Sequence, residues 1–149
     1  MFVKGQLLYF TPFYFKNGND PKNKFFLILR NIGNITIVAS LPTKVNNAPS
    51  LMDDSHGCIN HDERKFNCYV FAKNKPICNN GFSVDLTTHI YGDQIDEYLI
   101  EEITDFNSIM EGRDYETRGM LTEEELKGIK DCVQNSKSVI GRVKRLLFK

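Results

Sequence analysis

No run of consecutive apolar residues approaches the ~18 that a membrane-crossing helix needs, so no span is expected. Met1-Phe2-Val3-Lys4-Gly5 lacks the long apolar core of a secretory signal, and export is not expected. The four cysteines, Cys58, Cys68, Cys78 and Cys132, show no paired short spacing. Free thiols in a reducing cytoplasm are the expectation that follows. Net charge is also missing, since 19 basic residues balance 19 acidic ones.

That balance hides segregation. Among the first fifty residues, Lys4, Lys16, Lys22, Lys24, Arg30 and Lys44 face Asp20 alone. Asp93 to Glu125 holds twelve carboxylates against Arg113 and Arg118, and Lys127 to Lys149 holds seven cations against Asp131. Potential acts over roughly 8–10 Å in salt, so local sign outweighs the total. A basic N-terminal face suits a nucleic acid; a solvated face is the plainer reading.

At 149 residues one domain is expected over 1–149. Its centre is the stretch from Lys24 to Thr43. Phe25 to Leu29 is apolar without alternation, as a strand buried on both faces would be. Arg30-Asn31 and Gly33-Asn34 then break the pattern before Ile35 to Leu41, which makes a β-hairpin. With residue numbers of opposed pairs summing to about 65, Lys24 falls opposite Leu41–Pro42, and Thr43 is a step or two away. An ammonium and a hydroxyl at one rim suit an anionic ligand.

Gln6 to Phe10 reads as a first strand stopped by Pro12, and 11–23 as a loop whose aromatics stack bases or tuck under the sheet. An irregular insertion spans about 44–65 and holds His56, Cys58 and His61. Structural zinc needs four ligands, usually in two close pairs, and no second close pair exists, so no metal or other cofactor is expected. Phe66 to Ala72 and Phe82 to Tyr91 read as strands, with Ile77-Cys78 a short one. Gly92 marks a bulge or a close approach, Tyr98 to Phe106 a short helix, and Glu111 to Gly119 a loose charged stretch. Thr122-Glu123-Glu124-Glu125 is a capping box with Leu121 and Leu126 as its staple. The apolar spacing beyond it predicts one helix over about 122–148, roughly 40 Å long.

The order of motifs resembles the PemK/MazF family of toxin-like proteins. The resemblance rests on Lys4-Gly5-Gln6-Leu7-x-Tyr9, the strand from Lys24, Ile37-Val38-Ala39-x-Leu41-x-Thr43, Thr88-x-x-x-x-Asp93-Gln94-Ile95, and Gly119-x-Leu121-Thr122-x-Glu124-Glu125-Leu126. It implies a mostly β fold, a small SH3-like twisted barrel with a C-terminal helix, and a homodimer. The implied activity is metal-independent cleavage of single-stranded RNA in the cytoplasm, held in check by an antitoxin-like protein. An arginine opening the second strand and a threonine ending the third carry catalysis in that family, and they fall here on Lys24 and Thr43. Lysine is a point charge where arginine is a planar fork. Phe25 replaces the usual proline, Gln6 a common aspartate, and the insertion between Thr43 and Gly81 is long.

Lys16, Lys22, Lys44, Thr88 and Gln94 are the expected substrate-binding residues, and His89 or His61 a source of acid–base chemistry. Two other functions fit the same sequence. One is a catalytically degenerate barrel that binds nucleic acid or protein; the other is an interaction protein working through its helix.

Overall fold

A computed structural model describes residues 2–13, 20, 22–41, 56–61, 63, 66–107, 115–137 and 139–148. The elements run β1 (Gln6–Phe13), β2 (Lys22–Ile32), β3 (Ile35–Leu41), β4 (Gly57–His61), β5 (Phe66–Phe71), β6 (Thr88–Tyr91), a 3-10 turn (Gly92–Gln94), β7 (Ile95–Leu99), α1 (Ile100–Asn107), β8 (Tyr115–Met120), α2 (Glu123–Gln134) and α3 (Gly141–Phe148). They form two antiparallel sheets, ordered β7-β3-β2-β1-β8 and β4-β5-β6. Among the described residues these sheets do not join into a closed barrel.

The β2–β3 hairpin is the centre of the larger sheet, as its apolar run requires. Phe26, Leu27, Ile28 and Leu29 are all buried, alternately on the two faces. Leu27 and Leu29 face a core shared with Tyr69 and Phe71 of the second sheet and with Ile129 and Val133 of α2. Phe26 and Ile28 face a smaller core with Phe10, Phe13 and Ile103. A two-residue turn closes the hairpin, with Gly33 at φ +57°, a conformation that costs glycine little. Opposed residues sum to 67 near the turn and to 66 beyond a bulge at Leu29, not to 65.

Several elements differ from the sequence expectation. Pro12 does not stop β1; it sits where the β1–β2 register shifts between Phe10 and Phe13, so its missing N–H interrupts no ladder. The insertion contains a strand, β4, whose single large apolar residue, Ile59, gave no pattern to read. The segment before β6 lies outside the sheets: only Thr88–Tyr91 of the span from Phe82 forms a strand, and Cys78 makes one isolated bridge to Leu121. The charged stretch near 115–120 is β8, an edge strand with one partner, where polar outward residues cost nothing. Gly92 is indeed a close approach, since a Cβ there would lie 2.6 Å from Asn67 Oδ1.

The single C-terminal helix is two. α2 ends at Gln134, and carbonyls at the break take side-chain donors: Asn60 Nδ2 reaches Asn135 O at 3.1 Å, and Lys144 Nζ reaches Ser136 O. The phase slips by one residue there. Val139 enters the core in place of Ile140, which is 63% exposed.

Candidate functional site

Lys24 stands near the start of β2, opposite Phe10. Phe25 pairs with Leu41, so Lys24 lies at the rim where β3 ends. Its Nζ donates to the Leu41 carbonyl at 3.5 Å, the outer limit of a hydrogen bond. Burial of half the side chain lowers its pKa, and neighbouring Lys22 lowers it further. Lys22 itself is exposed, opposite Phe13. Thr43, Lys16 and Lys44 lie outside the described residues, and with them the expected pairing of Lys24 with Thr43.

Beside Lys24 along the chain, Phe25 opens an aromatic row. The cross-strand pair Tyr9–Phe25 has ring centroids 4.6 Å apart, and Phe25–Phe82 are 6.3 Å apart. The Arg118 guanidinium lies 5.0 Å from the Tyr9 ring centroid, a cation–π stack. A β-bulge aims it there: Leu7 pairs with Gly119 and Leu8 with Thr117, leaving Arg118 as the extra residue. Asn80 Nδ2 holds the Arg118 carbonyl at 2.9 Å, and Gly119 leaves room, because a Cβ there would meet Asn80 Oδ1 at 2.7 Å. Arg118 Nη2 pairs with Glu116 at 3.2 Å, but its buried Nε has no hydrogen-bond partner among the described residues. Sequence reasoning missed Phe82 and Arg118 as parts of one cluster, because the β1–β8 bulge aims Arg118 and the turn closed by Ile77 N–H to Phe82 O delivers Phe82.

Gln94 and Thr88 go to different places. Gln94 edges a cleft of about 450 Å³ whose walls include Phe26, Ser40, Asp93, Asp96 and Tyr98. Burial and the carboxylates of Asp96 and Glu102 push the Tyr98 pKa up to about 12, so its hydroxyl stays protonated at neutral pH. Thr88 belongs to the smaller sheet and spends its hydroxyl on Leu86 O at 2.9 Å. His89 is fully buried and stacked on Tyr91, which removes it from any solvent-borne substrate. Of His61 only the backbone pairing with Phe66 is described.

The residues that invited a metal reading have other partners. Ala72 N–H donates to His56 Nδ1 at 3.1 Å, so the ring proton sits on Nε2, which donates to Glu125 Oε1 at 2.6 Å. Tyr69 OH donates to the same oxygen at 2.9 Å. Burial first, then Glu125, raises the Tyr69 pKa. The capping box is therefore half formed. Thr122 Oγ1 accepts from Glu125 N–H at 3.2 Å, but the Glu125 carboxylate turns inward, and Thr122 N–H donates to Ile77 O instead. Cys58 is bonded to Cys132, correcting the expectation of four free thiols. Cys68 and Cys78 are buried outside the disulfide, and burial pushes the Cys78 pKa up to about 11.

No helix among the described residues is long and apolar enough to cross a membrane. No family model matches the chain, and no curated protein matches it significantly.

Proposed function

We propose that this chain binds single-stranded RNA at the Lys24 rim and cleaves it as a toxin-type, PemK/MazF-like endoribonuclease without a metal. The observation that carries the reading is a half-buried lysine ammonium at the sheet rim whose hydrogen bond among the described residues is one long contact to Leu41 O, with the Tyr9–Phe25–Phe82 row beginning at the next residue of β2 on the alternate face. Aromatic faces stack bases with little regard to sequence, and a nearby cation tracks the phosphate backbone. Arg118 adds a second cation over Tyr9. The open five-stranded sheet with helices against it is compatible with an opened-out SH3-like barrel. A homodimer, an antitoxin-like protein partner and a cytoplasmic setting belong to the same reading.

In this mechanism the RNA 2′-hydroxyl oxygen attacks the adjacent phosphorus, and the bond to the 5′ oxygen breaks. The products are a 2′,3′-cyclic phosphate and a 5′-hydroxyl. The proton leaving the 2′-hydroxyl passes to a solvent base. Lys24 neutralises charge building on the phosphorane, and its lowered pKa suits it to hand a proton to the departing oxygen. Thr43 orients the attacking hydroxyl.

The test is incubation of the purified chain with mixed-sequence single-stranded RNA, followed by mapping of the ends. Cyclic-phosphate ends are expected, with Lys24→Ala and Thr43→Ala each lowering the rate roughly 10²–10³-fold. Cleavage untouched by both substitutions removes this site. Salt-dependent binding without cleavage favours the degenerate binding module, to which lysine in the arginine position already points.

A further inference from the structure

At the opposite end of β2 a second group of cations converges from β2, α2 and the segment before β1. Gly5 is fixed by its N–H to Ile28 O at 2.7 Å and by its carbonyl to Leu121 N–H at 2.8 Å. A Cβ on Gly5 would lie 3.8 Å from Leu126 Cδ2, so the chain at Lys4 runs against the start of α2. Lys130 follows Leu126 by one helical turn and shares its face. Arg30, two residues beyond Ile28, is anchored from the third side by Nη1 donating to Leu146 O at the end of α3, 3.0 Å.

That placement brings Lys4 and Arg30 close enough to Lys130 for their charges to repel it. Burial, then Lys4, then Arg30 lowers the Lys130 pKa. Among the described residues no carboxylate pairs with Lys4, Arg30 or Lys130. Asp131, the acid next to Lys130, is committed to Lys127 at 2.8 Å. Lys4 is exposed and the other two are half-buried, so the group is open to solvent.

Like charges gathered without a counter-charge destabilise the fold that gathers them, unless something anionic completes the set. We propose that Lys4, Arg30 and Lys130 form a binding site for a tetrahedral oxyanion of the phosphate class. A phosphate dianion offers enough oxygens for an arginine donor and two lysines at once, and its charge neutralises most of theirs. A carboxylate offers one charge and two oxygens. The site is separate from the RNA rim: Arg30 is six residues from Lys24 along β2, roughly 20 Å at strand spacing. It therefore stands or falls independently of the endoribonuclease reading.

Titration calorimetry of the full chain with inorganic phosphate, at ionic strength held constant with chloride, tests it. One saturable site is expected. Lys4→Gln and Lys130→Gln each weaken it roughly tenfold or more, whereas Lys75→Gln, an exposed turn residue, leaves it unchanged. Melting temperature gives a second readout. Relief of repulsion raises Tm in chloride for both variants, and the further rise on adding phosphate is confined to the wild type. No saturable heat, or the same phosphate gain in wild type and the Lys4→Gln/Lys130→Gln double variant, overturns the proposal. Matched oligoribonucleotides with a 5′-phosphate or a 5′-hydroxyl separate the sources. Competition by the phosphorylated one alone assigns a nucleic-acid end. Equal competition assigns a backbone phosphodiester, and none assigns free phosphate.

Discussion

The face under α2 and the rim at Lys24 treat their polar side chains in opposite ways. Under α2, the buried Glu125 carboxylate takes two donors, His56 and Tyr69, and both ring nitrogens of His56 have partners. Asn67 Nδ2 donates to Cys132 O at 3.3 Å, and a disulfide crosses the same layer. Among the described residues, Lys24 at the rim has one hydrogen bond, at 3.5 Å, and the buried Nε of Arg118 over Tyr9 has none. Buried polar groups that satisfy one another stabilise a structure; cations left short of partners are available to a ligand. A histidine beside a carboxylate resembles catalytic machinery, yet here it is the bracing.

Breaking the brace gives the largest expected effect. The Cys58–Cys132 bond closes a loop with a sequence separation of 74. Loop-closure entropy for that length corresponds to about 4 kcal/mol, and real bridges deliver about 2–4. Reduction, or Cys58→Ala with Cys132→Ala, therefore lowers the unfolding free energy by about 2–4 kcal/mol in denaturant titrations. RNA affinity measured well below the transition stays within about twofold. Loss of RNA binding on reduction alone, with the fold intact, erases the distinction between brace and rim.

Gly128 sharpens it. Alanine in mid-helix ordinarily gains up to about 1 kcal/mol over glycine. At 128 a Cβ would sit 2.7 Å from Tyr69 Oη and 3.1 Å from its ring, and that hydroxyl is tied to Glu125. Gly128→Ala is thus expected to destabilise, by about 1 kcal/mol net of its helix gain. Tyr69→Phe costs about 1–2 kcal/mol by removing one of the two donors to a buried carboxylate. The double variant costs less than the sum, because Tyr69→Phe removes the hydroxyl that the alanine methyl at 128 collides with. A stabilised Gly128→Ala would show that Tyr69 is not held against α2.

How much of this the sequence carried depends on the range of the signal. β2 was legible because Phe25 to Leu29 fills both faces of a central strand, and the start of α2 because Thr122 caps it within three residues. β4 and β8 were not, since an edge strand needs only one apolar side and Glu116 and Arg118 meet solvent. The helix break was hidden because the 3,4 spacing continues through Ser136 and Ile140, while the donors to the Asn135 and Ser136 carbonyls come from Asn60 and Lys144, outside that pattern. Lys24 at a rim followed from hairpin register. Glu125 turning towards His56, Arg118 over Tyr9, and Lys4 against Lys130 all join residues more than sixty positions apart, and no local pattern encodes such meetings.

The smallest effect falls on the rim itself and has the opposite sign to the first two. Lys24 has a folded-state pKa below its ordinary value of 10.5, chiefly because folding half-buries it. The unfolded chain then holds that proton more tightly than the native one, so the protonated side chain costs stability at every pH below the folded pKa. The cost disappears as pH rises through the folded value to 10.5 and beyond. Lys24→Met keeps the stem and removes the charge, so at neutral pH it should raise Tm by about 1–3 °C, the partial exposure of the group keeping the gain small. The difference between variant and wild type should close as pH approaches 10.5. In the proposed RNA complex the same substitution removes one phosphate contact, and the slope of log K against log salt for single-stranded RNA should flatten by roughly 0.7. A protein that becomes more stable and binds worse through one atom holds that charge for its ligand. A Lys24→Met variant that melts lower, with RNA affinity and salt slope unchanged, would place Lys24 with the brace residues instead.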